Sequence, residues 1–385
     1  MNAEGRGGAA GSLEISGQTV WVMAKGYAPD EGGMQTYAAG VAQAYAHRGA
    51  SVTVFTQTSL GPRRERQGNI LLVDVGSGPG VMTLRRLLTV MKREASTDRP
   101  VFVHGTTWRT SVLPLMLGLN YITTFHGREF MGGGPAARGV MRLIARRARG
   151  IVAVSQYTSA KLQRRLGLRS SPLVAYNGAS IVPPEETALQ LSPRPPLIFS
   201  LCRLEPRKNI AACIEACAVL KQRGRAYRYV IAGRGPELER LRALVDDLDL
   251  GGCVELVGYV SDAEARTWYE RAEIFLHPQI EIADGRDFEG FGIVIADAMV
   301  SASAVVVGCD GGPAELVEHG ISGFVVNGRD RDQLIEGIDK LLLDDGLRQS
   351  LARAARRRGH ELFSWSRHID IILDALGDRM SSLRR

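Results

Sequence analysis

Apolar strand-like segments alternate with helical segments almost from end to end of this chain. The alternation stops once, at a proline-rich break, and then starts again. Short buried strands separated by helices are the pattern of a parallel sheet wound on both faces. In the first half the strands are expected at 19–23, 52–55, 70–75, 101–104, 121–125, 151–154 and 173–176. In the second half they are expected at 197–201, 229–232, 254–257, 274–276, 304–307 and 323–326. The break at 183–196 holds Pro183, Pro184, Pro193, Pro195 and Pro196 and reads as a linker. The fold class is therefore α/β: two Rossmann-like doubly wound domains, 18–182 and 197–364, facing across a cleft. Residues 1–17, rich in Gly, Ala and Ser, are expected to be a disordered tail. Residues 365–385 are expected to form a helix packing back toward the first domain.

Ligands of such sheets bind beyond the carboxyl ends of the strands, so the residues there carry the functional information. Arg203-Leu204-Glu205-Pro206-Arg207-Lys208 follows the strand 197–201 and precedes a helix. A guanidinium and an ammonium at a helix start suit a diphosphate, or are surface charges at a helix start. Glu289 precedes Gly290-Phe291-Gly292, whose small residues let backbone amides approach a ligand, and Asp297 follows eight residues after Glu289. Eight residues is close to two helical turns, so both carboxylates are expected on one face. Gly233-Arg234-Gly235-Pro236 resembles a dinucleotide fingerprint only loosely, since Pro236 interrupts the spacing. Gly32 and Gly33 form the first turn of the first domain, and His126-Gly127 ends another strand.

Bulk properties exclude several classes. No apolar run approaches the ~18–20 residues of a membrane-spanning helix. The first seventeen residues lack the apolar stretch of a signal peptide, so a cytoplasmic location is expected. The five cysteines, Cys202, Cys213, Cys217, Cys253 and Cys309, have neither metal-site nor secreted-disulfide spacing and read as free thiols. Charge is uneven: residues 1–180 carry 22 Lys+Arg against 9 Asp+Glu, a net of +13, and the remainder nets −6. The basic half suggests an anionic partner, such as a membrane surface or a phosphorylated acceptor.

In their order and spacing these segments resemble the family 4 retaining glycosyltransferases of the GT-B architecture. The resemblance covers roughly residues 18 to 365. It includes Gly32-Gly33, His126-Gly127, Val154-Ser155, Asn177-Gly178, the Arg203/Lys208 pair, Gly258-Tyr259-Val260, Glu289-Gly290-Phe291-Gly292 and Gly311-Gly312-Pro313-Ala314-Glu315. It implies a hexosyltransferase that uses a nucleotide-diphosphate sugar, GDP-mannose first and a UDP-hexose second, without a metal or other cofactor. Arg203 and Lys208 would bind the donor diphosphate and stabilise the leaving nucleotide. Glu289 would touch hydroxyls of the transferred sugar, and the amides of Gly290, Phe291 and Gly292 would add contacts. Asp297, where the family pattern has Glu, would hold the ribose, and backbone at Gly258, Tyr259 and Val260 would lie near the base. Gly32 and Gly33 would approach the diphosphate from the other domain, and His126 would lie beside the anomeric centre.

The acceptor implied is a glycan or a polyprenyl-linked oligosaccharide for a surface polysaccharide. Segments 82–93 and 138–149 mix apolar residues with Arg85, Arg86, Lys92, Arg93, Arg138 and Arg142. That composition suits a peripheral site on an anionic leaflet, or ordinary helices packed on the sheet. A nucleotide-sugar epimerase and a nucleic-acid-binding protein are the alternatives. The second leaves the Arg203/Lys208 and Glu289 constellation idle, and nucleic acid is not expected as a partner.

Overall fold

The computed structural model describes residues 11–30, 32–181 and 195–382. The first sheet contains β1 (Thr19–Met23), β2 (Ser51–Thr56), β3 (Pro62–Gln67), β4 (Ile70–Val75), β5 (Phe102–Gly105), β6 (Tyr121–Phe125), β7 (Gly150–Ala153) and β8 (Leu173–Val174). Its spatial order is β3-β4-β2-β1-β5-β6-β7-β8, and every pairing is parallel except that of β3 with β4. The inner strands are buried on both faces, as helix-covered parallel strands must be. β3 is the one strand outside the expected set. Its sequence, Pro-Arg-Arg-Glu-Arg-Gln, is exposed apart from Arg63, the charged character of an edge strand that resists further pairing.

The second sheet contains β9 (Leu197–Leu201), β10 (Arg228–Ala232), β11 (Val254–Gly258), β12 (Ile274–His277), β13 (Ala304–Gly308) and β14 (Gly323–Val326). Its order is β11-β10-β9-β12-β13-β14, all parallel. In both sheets the chain order reverses beside the first strand. This is the crevice in which doubly wound sheets take their ligands.

A helix at Trp365–Ser382 returns to the first domain and packs on the helix Gly33–His47 and on β7. Two glycines make room for it. A Cβ on Gly40 would stand 2.2 Å from the Trp365 ring, and one on Gly178 2.6 Å from it. His368 of the same helix enters the first domain's interior. Its Nδ1 donates to the Tyr176 carbonyl (3.0 Å), which leaves Nε2 to accept from the Tyr37 hydroxyl at 2.9 Å. Burial pushes His368 down to about 4, so the ring is neutral and this bonding pattern is fixed.

The amino-terminal expectation needs correction. Residues 11–17 are not a loose tail: Leu13 N–H donates to the Leu373 carbonyl (3.0 Å) and Ile15 is buried. Two apolar residues in a Gly- and Ser-rich run suffice to pin it to the returning helix. Residues 1–10, and the expected linker up to residue 194, lie outside the described residues.

One apolar core runs through both domains. It joins Tyr37, Val41 and Tyr45 of the helix after the glycine turn to Phe291, Ile295, Met299 and Phe363. Phe291 lies between Tyr176 and Phe363, with ring centroids 6.0 and 5.8 Å away. Its side chain thus faces the seam between the domains, and only its backbone can serve a ligand.

Candidate active site

The expected site segments all emerge at carboxyl ends of strands. Gly32 and Gly33 follow β1, His126 follows β6, Arg203 to Lys208 follow β9, Tyr259 follows β11 and Glu289 follows β12. Glycines shape the turn after β9. A Cβ on Gly233 would lie 1.8 Å from the Cys202 carbonyl oxygen, and one on Gly235 2.2 Å from that of Leu204. Backbone therefore packs on backbone, holding the turn in place. The turn ends in a short helical coil at Pro206–Lys208 and then Asn209 at φ 60°. The Asn209 amide donates to the Pro278 and Gly328 carbonyls at 3.1 and 2.7 Å, tying the turn to β12.

This turn buries Lys208 and leaves Arg203 open. Lys208 is 6% exposed, whereas the Arg203 side chain is 76% exposed and touches Glu205 at 3.2 Å. Lys208 Nζ donates to Glu289 Oε2 and, at 3.3 Å, meets His277 Nε2. Gln279 defines that histidine. Its Nε2 donates to the Gly308 and Asp310 carbonyls and its Oε1 accepts from the Gly308 amide. The 3.0 Å contact from His277 Nδ1 to Oε1 is therefore an N–H donation, and His277 Nε2 keeps the lone pair that Lys208 faces. Burial, then the Lys208 charge, push His277 down to about 4. His277 and Gln279 were not singled out in the sequence, although a polar pair at a strand's carboxyl end was a usable signal.

Glu289 sits where three charged side chains meet. Its Oε2 accepts from Arg207 as well as Lys208. Burial alone would raise its carboxyl, but the Lys208 and Arg207 charges outweigh that and hold it well below the usual carboxylate range. Arg207 had no assigned role in the sequence reading. The structure buries it among Glu289, Glu205 (3.1 Å) and Asp287 (3.3 Å).

The two domains meet at this carboxylate's turn. A Cβ on Gly290 would stand 1.6 Å from the His126 carbonyl oxygen, so only glycine admits this approach. Thr158 Oγ1 donates to the Gly290 carbonyl at 3.3 Å. Behind it, Gly312 N–H donates to the Glu289 carbonyl at 2.9 Å. His126 Nε2 lies 2.8 Å from the Thr106 carbonyl and must donate to it. Its Nδ1 is then an acceptor, and burial lowers its basicity so that the ring stays neutral. Gly32 takes φ 137°, and a Cβ on Gly33 would meet nothing within 4 Å. The glycine turn thus borders open space. Arg234 lies over the Tyr259 ring at 4.6 Å, beside Gly258 and Val260.

The acidic segment 279–287, for which the sequence offered no account, is a docking loop. Ile282 and Asp287 pair by backbone hydrogen bonds across a turn with Ala283, Asp284 and Gly285 at positive φ. Glu281 accepts from Lys161 (3.2 Å) and Tyr157, both on the first domain's helix Gln156–Leu166. Glu315 caps that helix from the second domain, accepting from the Gln156 and Tyr157 amides at 2.8 and 2.5 Å.

One expectation about Asp297 is revised. The helix is Ile293–Val300, so Glu289 precedes it and the two carboxylates do not share a helical face. Gly292, at φ 88°, breaks the register between them. Both oxygens of this carboxylate are engaged within the protein. Asp297 Oδ1 and Oδ2 accept from the Ser180 amide and hydroxyl, both at 2.6 Å, and Oδ1 also from the Ile181 amide. Asp297 therefore ties the end of the first domain to the second. Among the described residues, no group of three or more His, Cys, Asp or Glu side chains is gathered as a metal-ligand set.

Residues 31–181 match the family described as Glycosyltransferase Family 4, and residues 184–358 match Glycosyl transferases group 1. The chain belongs to these glycosyltransferases. Its fold agrees: sucrose-phosphate synthase from Thermosynechococcus elongatus superposes with a TM-score of 0.73 at 19% identity, covering 96% of this chain and 98% of that one. Anabaena HepE in complex with UDP-glucose superposes with a TM-score of 0.72 at 18% identity, over 95% and 100%. The two domains are thus those of a GT-B glycosyltransferase. Among curated relatives, the amylovoran biosynthesis glycosyltransferase AmsK of Erwinia amylovora is 37% identical over 147 residues, which span 37% of this chain and 36% of that relative. The GDP-mannose-dependent alpha-(1-6)-phosphatidylinositol monomannoside mannosyltransferase of Mycobacterium tuberculosis is 26% identical over 370 residues, 88% of this chain and 92% of that protein.

The buried Asp297 gives a pH prediction. Burial raises its carboxyl to about 6 from 3.8, against the lowering effect of the Ser180 and Ile181 bonds. A raised carboxyl binds a proton in the native state that the unfolded chain has released. Its stabilisation is therefore present below the unfolded pKa and is lost as pH rises through about 6. The stability of the wild type relative to Asp297→Asn should fall by roughly 2–3 kcal/mol between about pH 4 and pH 7. Urea unfolding of both proteins across that range measures it, and a difference that is flat or grows with pH contradicts the buried placement.

Proposed function

We propose that this glycosyltransferase moves a hexose, with retention, from a nucleotide-diphosphate sugar to a hydroxyl of a glycan or polyprenyl-linked glycan, in the synthesis of a surface polysaccharide or glycolipid. The observation that carries this reading is the turn after β9. It presents exposed Arg203 and buried Lys208 beside an ionised Glu289, at the seam where the other domain brings His126. Two cations at a helix start are suited to a diphosphate. They also supply the charge that a leaving nucleotide needs, so no metal ion is required for that step. GDP-mannose is the first donor to try, given the mannosyltransferase similarity, and a UDP-hexose is the second, given the UDP-glucose bound to HepE.

The Glu289 carboxylate shares one oxygen between two cations and is held far down in basicity. Such a group is a weak nucleophile and a good acceptor of sugar hydroxyl bonds. The reading is therefore a same-face displacement. The bond from the anomeric carbon to the diphosphate oxygen breaks, the acceptor oxygen bonds to that carbon from the same side, and the acceptor proton passes to the departing phosphate oxygen. Neutral His126, with Nδ1 free to accept, belongs beside the sugar. Proton NMR of product formed from GDP-mannose or UDP-glucose should show the donor's anomeric configuration. An inverted product overturns the mechanism, and acceptor-free interconversion of donors favours the epimerase reading.

The acceptor side is read as a membrane surface. The helices Gly80–Thr97 and Pro135–Arg147 bury Leu87, Met91, Met141 and Ile144 against the first domain. Outward they expose Val81 (72%), Met82 (51%), Leu84, Val140 and Leu143 among Arg85, Arg93 and Arg146. Apolar side chains set among arginines fit an anionic leaflet. Among the described residues, no helix is long and apolar enough to cross a membrane. The protein should sediment with phosphatidylglycerol vesicles at low salt and release at high salt, and Met82→Glu with Arg85→Glu should reduce binding at least tenfold. Equal sedimentation with neutral vesicles, or none, removes the membrane part.

A further inference from the structure

Arg207 stands out as a buried charge to which nothing above gives a task. Each nitrogen of its guanidinium faces a different carboxylate: Nη1 meets Glu289, Nη2 lies 3.1 Å from Glu205 and Nε 3.3 Å from Asp287. Its side chain is 13% exposed, against 76% for Arg203. Turning it toward a ligand would withdraw its charge from three acidic groups in a poorly hydrated place, a costly rearrangement. Arg207 is thus fixed. Lys208 is not fixed to the same degree: it is a single point charge on a flexible stem, holding Glu289 and facing the His277 lone pair. Both cations converge on the same oxygen, Oε2, of Glu289.

One ammonium cannot give its full charge to a diphosphate while also holding a carboxylate. We propose that Arg207 is the positioning residue for the donor sugar. It keeps Glu289 aimed and ionised through Oε2, so that Lys208 can swing to the diphosphate and Oε1 can receive the sugar hydroxyls. This rests on the donor-binding reading above and adds a division of labour within it. Arg207 acts on the sugar through Glu289, Lys208 acts on the diphosphate, and neither replaces the other. The brace reaches the first domain as well. Arg128, two residues after His126, lies 3.9 Å from Glu205 and 3.7 Å from Asp287, the carboxylates on the far side of Arg207.

Calorimetric titration of the full-length protein with GDP and GDP-mannose, and with UDP and UDP-glucose, separates the two tasks. Arg207→Gln should weaken the nucleotide sugar at least tenfold while changing the matching free nucleotide less than threefold. Arg207→Lys, which keeps a charge but cannot span three carboxylates, should fall between wild type and Arg207→Gln. It also covers the case in which the glutamine variant does not fold. Glu289→Gln should show the same selective loss, and the double variant should lose little more than either single one, because residues acting through one contact are not additive. Equal weakening of nucleotide and nucleotide sugar makes Arg207 a diphosphate ligand and overturns the proposal. So do an unchanged sugar affinity or additive losses. A wild type that binds none of the four compounds overturns the donor-site reading itself, and this inference with it.

Discussion

The site depends on one close approach, the backbone of Gly290 lying against the carbonyl of His126. Any side chain at residue 290 would part the domains there, because the contact leaves no room for a Cβ. Around that point the seam is made of directional bonds. Thr158 reaches the Gly290 carbonyl, Glu315 caps the helix Gln156–Leu166, and Lys161 and Tyr157 hold Glu281. Each pairs a polar group of one domain with a polar group of the other, at a cost in desolvation that is offset only when the geometry is good. Apolar packing of Phe291 with Tyr176 and Phe363 supplies the rest. The arrangement puts His126 and Glu289, the two residues proposed to meet the sugar, on either side of one backbone contact.

Charge is pooled rather than paired at this seam. Glu205, Asp287 and Glu289 surround Arg207, with Lys208 on one side and Arg128 on the other. Taken singly, buried ion pairs are weak stabilisers. Together they hold a carboxylate ionised and a lysine beside neutral His277, which suits the anionic donor proposed above.

Much of this was legible in the sequence, and the reasons differ by residue. The parallel strands were readable because β1, β12 and β13 are short, almost continuous apolar runs, and the strand-end motifs follow from their ends. β3 was not, because an edge strand of Pro, Arg, Glu and Gln has neither alternation nor apolar content. Arg203, Lys208, Glu289 and His126 could be singled out as candidates from their places at strand ends. Arg207 was passed over because adjacent basic residues in a turn do not show which one is buried. That depends on Gly233 and Gly235, far along the chain, setting the turn. The contacts of Asp297 and of residues 11–17 were not legible for a related reason. Their partners, Ser180 and Leu373, are distant in sequence, and no periodicity reports such contacts.

The Arg203–Lys208 turn is proposed to bind a nucleoside diphosphate. Thermal unfolding of the purified protein with GDP, UDP and ADP, compared with Arg203→Ala, tests it most directly. A ligand at about a hundred times its dissociation constant should add ~2.7 kcal/mol to native stability. One nucleotide should raise the transition well above the others, and Arg203→Ala should remove the rise. A rise that survives Arg203→Ala, or none with any of the three, contradicts it.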